Sequence, residues 1–294
     1  MVFMFETEED AAIAAVISML LEVSGNPKAG NVDREHNFED LRYEHFLASS
    51  ASSFPVFLRA TESREGCGEL ILKAVENSIR WHKAQNVHFG AFLLLIPLLK
   101  CWNSKTPEEA GENASLSLKE STYKDSLNVL RAFKLSSARV MEARNFNLLS
   151  EETEMQIKEN KVNLYSWMEM APEENLIAKE LVGGFQLSVL NSKRIFKFFE
   201  ETKDINYAIV LCYHHLLSEV KDPLVISKFG LEVAEDVTYR AKEIINSLSG
   251  NHEEDIKLFK KMDEELLGKG INPGTVADLM ISSIYLALLD GLKF

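Results

Sequence analysis

Glycine and proline are scarce in this chain: 14 and 7 among 294 residues, about 7% where average usage is roughly 12%. Turns draw on these two residues for positive or fixed φ angles. A long chain with few of them must be built from long elements. No segment shows a convincing apolar–polar alternation of period 2, whereas apolar residues recur at three- and four-residue spacing almost throughout. The fold class expected is all-α: a single multi-helix globular domain over residues 1–294 with buried central helices. No Pro- or Gly-rich linker, repeat or low-complexity tract divides it.

Charge narrows the function. The chain carries 32 basic and 45 acidic residues, a net charge of -13, so phosphate polymers and anionic lipid surfaces meet a repulsive average field. Neither a nucleic acid nor a membrane is an expected partner. The apolar run from Gly90 to Leu99 falls well short of the ~18 residues that span a bilayer. The N-terminal MVFMFETEED is acidic where a signal peptide is basic. Cys67, Cys101 and Cys212 are far apart, odd in number and without metal spacing, which fits reduced buried thiols. The expected compartment is the cytoplasm.

Helices are expected at Thr7–Val23, Glu39–Arg59, Gly68–Lys83, Ala91–Trp102, from Pro107 onward, Ser121–Ala143, Glu151–Ala171, Asn175–Phe199, Asn206–Val220, Gly230–Leu248, Glu253–Leu267 and Thr275–Leu289. Thr7-Glu8-Glu9-Asp10 is a helix start, and Ser24-Gly25-Asn26-Pro27 ends that helix. In Glu253–Leu267, Ile256, Phe259, Met262 and Leu266 form the buried stripe, and the charged face is expected in solvent. His214 and His215 point about 100° apart on a helix and read as structural.

Three segments look unlike core or surface filler. In Asn26-Pro27-Lys28-Ala29-Gly30-Asn31-Val32-Asp33, the Gly30 backbone and the Lys28 charge suit an anion. Asp33 closes this loop. Asp40 and Glu44, four apart, are expected on one helix face. Carboxylates beside a phosphate-binding lysine are the ingredients of a Mg²⁺-nucleotide site, although acidic helix starts are common for dipole reasons alone. The second segment, Asn86-Val87-His88-Phe89-Gly90, places a histidine and an asparagine at the mouth of an apolar helix, suiting a general acid or hydrogen-bond donor. The third is Asn272-Pro273-Gly274-Thr275-Val276-Ala277-Asp278. There Asp278 is expected in the first turn of an apolar helix, needing a cation or serving the dipole.

In this order the segments resemble the triphosphoribosyl-dephospho-CoA synthases, helical enzymes that make a prosthetic-group precursor. Pro27 to Asp33 matches five of seven places of the family's Pro-Lys-Pro-Gly-Leu-Val-Asp. Asp40-Leu41-Arg42, followed by Phe46-Leu47-Ala48-Ser49-Ser50, is similar to its Asp-Met-Asp element. Asn86 to Ala91 resembles Asn-Thr-His-Lys-Gly-Ala, and Asn272 to Leu279 resembles Asn-Pro-Gly-Gly-Ser-Ala-Asp-Leu. Of an Asp-Thr-Asn element only Asp222 remains. The chain departs from the pattern at Phe38, Arg42 and Phe89, where the family has His, Asp and Lys.

The resemblance implies transfer of the triphosphoribosyl group of ATP to 3'-dephospho-CoA or a similar acceptor. A ribose hydroxyl attacks C1', adenine leaves, and the centre is oxocarbenium-like. It implies Lys28, Gly30, Asn86, Gly90, Asn272 and Gly274 as nucleotide and phosphate contacts. Asp33, Asp40 and Asp278 are the implied Mg²⁺ ligands, with one of these three or Glu44 as base and His88 as the group that meets the departing base. The three departures keep two alternatives open: a related Mg²⁺-dependent transferase with another acceptor, and a helical nucleotide-binding protein without catalysis. The Leu-, Ile- and Phe-rich helices are compatible with a homodimer.

Overall fold

The computed structural model describes residues 5–62, 64–138, 150 and 152–294. Among them the chain is all-α, with fifteen helices and no strand. The helices are α1 (Glu8–Ser24), α2 (Tyr43–Glu62), α3 (Cys67–Ile79), α4 (Phe89–Lys100), α5 (Pro107–Lys119), α6 (Tyr123–Ser136), α7 (Thr153–Asn160) and α8 (Leu164–Glu169). They continue with α9 (Leu176–Gly183), α10 (Gln186–Thr202), α11 (Ile205–Leu217), α12 (Pro223–Phe229), α13 (Leu231–Ser247), α14 (His252–Gly268) and α15 (Gly274–Leu289). No helix among the described residues is long and apolar enough to cross a membrane. The end of the expected Ser121–Ala143 helix beyond residue 138, Glu151 and the first four residues lie outside the described residues.

The two most apolar helices are the centre. Every residue of α4 from Phe89 to Leu99 is buried. In α15 all are buried except Gly274 and Asp278. These two helices pack on each other; α15 also packs on α1 and α10, and α1 on α2. A helix apolar on all sides has no solvent face and must lie inside. α11 is also buried on every side, from Tyr207 to His214 and at Leu216 and Leu217, and most of the other helices are amphipathic. A main apolar core results, drawing residues from Phe5 to Leu292, with a smaller cluster of Tyr207, Val210, Leu211 and Phe259 beside it.

Local chemistry fixes the ends. Thr7 and Asp10 form a reciprocal capping box at α1, and Thr122 and Asp125 do the same at α6. The expected Asn175–Phe199 helix is broken into α9 and α10 at Gly184-Phe185. Phe185 adopts φ 58°, and the buried Glu180 carboxylate turns back to accept the Leu187 and Ser188 amides at 2.9 and 2.8 Å, capping α10. The Glu151–Ala171 segment is likewise two helices, because Lys161 is left-handed and Asn163 caps a new start at Ser166 N.

Two further expectations are corrected. Residues 39–42 are not helical; α2 begins only at Tyr43, whose amide is taken by Asn37 Oδ1 at 2.6 Å. Asp40 and Glu44 therefore do not share a helix face. On α14 the charged face is not wholly solvated: Asp255 and Asp263 are buried. Each has a distant partner there: Tyr207 Oη donates to Asp255 at 2.9 Å, and the Gly30 amide donates to Asp263 at 2.8 Å. His214 and His215 keep their structural reading. His214 is buried, its Nδ1 2.8 Å from the Val210 carbonyl and its ring stacked on Phe259. His215 stacks on Phe198.

Candidate active site

A cavity of about 290 Å³ opens where α4, α9 and α15 begin. Its walls hold Asn86, His88 and Gly90 from one side, Asn272, Gly274 and Asp278 from another, and Asp40 at the exposed edge. Six of the predicted site residues thus share one space with Asp40. Lys28, Gly30 and Asp33 stand behind it.

The loop behind the cavity is tied down group by group. Asn206 exchanges two hydrogen bonds with the Asn26 backbone at 3.0 and 2.8 Å, and Tyr213 Oη donates to the Ala29 carbonyl at 3.0 Å. Gly30 has φ 74°, and a Cβ there would stand 2.3 Å from the Ile271 carbonyl. Only glycine fits this turn, and its amide faces Asp263 rather than the cavity. Asp33 accepts from Asn26 Nδ2 and from the Glu35 and His36 amides, all at 2.8 Å. Lys28 is fully buried, and its ammonium is committed to the Glu22 carboxylate. Glu22 in turn lines the cavity.

Asp278 stands one turn into α15, not in its first turn. It is half-buried, with its carboxyl reaching across to the start of α4, where the Ala91 amide hydrogen-bonds to it. Gly90 makes this approach possible, since a Cβ there would lie 2.1 Å from Asp278 Oδ2. Asp222 performs the matching function at α15. Its Oδ2 accepts from Val276 N at 2.8 Å while its Oδ1 caps α12 through Leu224 N and Val225 N. Positive helix ends favour carboxylates, yet burial dominates. It raises Asp222 to about 6, and raises Asp278 well above the usual carboxylate range with added repulsion from Glu22 and Asp222. Burial also raises Glu22, against the attraction of Lys28. Three carboxylates thus lie near one another, two of them, Glu22 and Asp278, on the cavity wall, with the buried lysine already paired.

Part of the lining is aromatic. Phe38, Phe46 and Phe89 form it, and the Phe46 ring meets His88 edge-on at 4.9 Å. Phe38 and Phe89 are two of the departures from the family pattern; both put an apolar ring where the pattern has a polar group. Arg42, the third, is exposed and loosely paired with Glu44 at 3.5 Å. His88 caps α4 in a left-handed conformation, as does Asn86 two residues earlier. Backbone strain of this kind gathers at working sites. His88 is buried; burial lowers it to about 3, so the ring is neutral. Its Nε2 and the Asn272 Oδ1 lack protein partners. Both line the cavity, where a ligand can satisfy them.

A divalent cation has two sets of donors to consider. Asp33, Asp40 and Asp278 do not converge; among the described residues the one compact group is Asp33, His36 and Asp263, whose donor atoms lie within 4.8 Å. There burial and the neighbouring Asp33 carboxylate raise Asp263 to about 7, partly offset by the Gly30 amide. A set containing histidine suits a transition ion better than Mg²⁺. The second set is the cavity wall itself. Asp278, near Glu22 and Asp222, offers the one or two carboxylates that Mg²⁺ takes when phosphate and water complete its shell.

Sequence reasoning missed Glu22 and Asp263 and saw Asp222 only through the resemblance. Glu22 had a signal: an acid in the last turn of a helix opposes the dipole. Asp222-Pro223 had one too, as an N-cap followed by proline at the first helical position. Asp263 had none, since its burial comes from a glycine 233 residues away.

Comparison with known proteins gives the family. The family model for ATP:dephospho-CoA triphosphoribosyl transferase matches residues 8–293. A Malonomonas rubra protein assigned as a 2-(5''-triphosphoribosyl)-3'-dephosphocoenzyme-A synthase is similar, at 25% identity over 94% of this chain and 86% of its own length. A crystal structure from Archaeoglobus fulgidus, assigned as a triphosphoribosyl-dephospho-CoA synthase, is similar at 44% identity with a TM-score of 0.69. The match covers 84% of this chain and all of that one. The chain belongs to the ATP:dephospho-CoA triphosphoribosyl transferase family.

Proposed function

We propose that the chain is a transferase that moves the triphosphoribosyl group of ATP to the ribose hydroxyl of 3'-dephospho-CoA and releases adenine. The observation that carries this reading is the mixed lining of one cavity. Carboxylates from α1 and α15 share that lining with aromatic rings and a neutral histidine. A triphosphate brings charge that bare carboxylates repel, so it enters with a divalent cation between them, and the flat base turns to the rings.

Mg²⁺ is the cation proposed. Asp278 would be its main protein ligand, with Asp40 at the mouth and Glu22 and Asp222 setting the field; held there, it would supply positive charge against the transferred triphosphate. Asp33 acts at a distance, by holding the loop from which Asn31 reaches the cavity and the Pro273 carbonyl at 3.2 Å. Asn86 and Asn272 present amides to the sugar and phosphates. His88 Nε2 faces the departing base and supplies a proton to it. Asp40 accepts the proton of the attacking hydroxyl. Phe38, Phe46 and Phe89 exclude water from the oxocarbenium-like centre, where hydrolysis would compete.

The test is to incubate the protein with ATP, 3'-dephospho-CoA and Mg²⁺ and follow adenine and the transferred product by mass spectrometry. The reading predicts one adenine released per molecule of product. Folded protein that releases no adenine contradicts it.

A further inference from the structure

His88 does not end its hydrogen bonding at the cavity. Behind it, Nδ1 lies 3.0 Å from Ser49 Oγ on α2. Ser78 Oγ, at the end of α3, donates to Ser49 Oγ at 2.8 Å and lies 2.9 Å from His82 Nε2. Both serines are buried, while His82 is half-buried and sits in the segment after α3. Its nearest ring neighbour is His45, at 5.7 Å. The file therefore runs from the cavity wall to a half-buried histidine whose Nδ1 is buried and without a hydrogen-bond partner.

The donors in this file admit an order that ends at the cavity. A hydroxyl has a single proton, and Ser78 directs its own at Ser49, so Ser78 receives one from His82 Nε2–H. Ser49, having accepted from Ser78, keeps its own proton, and giving it to His88 Nδ1 selects one of the two His88 tautomers. That leaves the His88 proton on Nε2, the atom without a protein partner on the cavity wall. Every donor points from His82 toward the cavity.

We propose that His82, Ser78 and Ser49 form a proton relay that fixes the His88 tautomer and replaces the proton His88 gives to the leaving base. The proposal rests on the triphosphoribosyl-transfer reading above. As the C1'–N bond breaks, its electron pair stays on adenine, and an adenine nitrogen takes the Nε2 proton of His88. In the same event His88 Nδ1 takes the Ser49 proton, Ser49 that of Ser78, and Ser78 that of His82 Nε2. His82 Nδ1, buried and unpartnered in the resting protein, then takes a proton from a water molecule that enters beside it. Adenine leaves neutral, and no charge accumulates on the file. Water entering the emptied cavity returns a proton to His88 Nε2, and the shift runs back. Burial holds His88 neutral, and this makes the relay necessary: a neutral imidazole that donates without receiving would become an anion in an apolar pocket.

The experiment combines a turnover measurement with one that needs no turnover. In ¹⁵N NMR of the free protein, His88 is expected as the Nε2–H tautomer, and Ser78→Ala is expected to mix the tautomers. An Nδ1–H tautomer in the unsubstituted protein overturns the donor order, whether or not adenine is ever released. In single-turnover assays, His82→Gln and His82→Phe are expected to leave ATP affinity within about twofold and to slow adenine release about a hundredfold, the usual scale for lost proton transfer. Glutamine keeps an N–H for Ser78 but cannot pass a proton, so it separates relay from mere positioning. Added imidazole is expected to restore part of the rate to His82→Ala. A His82→Gln protein that keeps its full kcat overturns the relay. An unsubstituted protein that releases no adenine overturns the transfer reading instead, and the tautomer result then stands separately.

Discussion

The loop behind the cavity and the wall in front of it contain the same kinds of residue in opposite states. In the loop, Asp33 holds three N–H donors, Gly30 is engaged by Asp263, and Lys28 is matched to Glu22. At the wall, His88 Nε2 and Asn272 Oδ1 have no protein partner, and Asp278 has one amide against a crowd of carboxylates. A buried polar group left open costs free energy, so a chain that leaves several in one cavity has a ligand to complete them. The loop builds the site, and the wall uses it.

The largest test of this division is Asp278→Asn. Adenine release is expected to fall about a hundredfold or more, while the ligand-free protein becomes more stable, because a repelled carboxylate has been neutralised. A variant that loses both activity and stability would place Asp278 with the loop. Gly90→Ala should follow, since its Cβ would displace the Asp278 carboxyl. We expect at least a tenfold loss of activity in a protein that still unfolds cooperatively in denaturant.

Asp33→Ala should behave the other way. It leaves the Asn26, Glu35 and His36 donors without their acceptor, at a cost of about 1–3 kcal/mol. Urea unfolding should show this loss, and any fall in activity should track it. The pH dependence separates the two regions further. Asp278 has its folded pKa raised above the unfolded value, so its charged form costs stability as pH rises through the folded pKa. The melting temperature of Asp278→Asn minus that of the unsubstituted protein should therefore grow from pH 5 to pH 8. His88 and His214, lowered to about 3 and about 4, contribute stability that is present above pH 6.5 and lost on acidification. They are common to both proteins and drop out of the difference. The smallest effect is expected for Asp40→Ala: stability within about 0.5 kcal/mol, as for most exposed positions, with the change confined to turnover.

The sequence made the architecture readable because α4 and α15 are apolar on every side and can only be central. It made Asn86, His88, Gly90, Asn272, Gly274 and Asp278 readable because polar and glycine residues stand at the mouths of those two helices. Glu22, Asp222 and Asp263 were harder, since their burial depends on elements distant in the chain. Asp40 and Glu44 show the opposite error. Their spacing suits a helix, but Asn37 takes the Tyr43 amide and starts the helix late. Lys28 carried the right charge for a phosphate, yet Glu22 stands six residues earlier, one loop away, and claims it.

The most direct measurement is a crystal structure with ATP and Mn²⁺ in place of Mg²⁺, read from the anomalous signal of the metal. The account predicts a Mn²⁺ peak within bonding distance of the Asp278 carboxyl, triphosphate density beside it, and the adenine against Phe38, Phe46 and His88. A metal peak only at Asp33, His36 and Asp263, with the nucleotide outside the cavity, would contradict it.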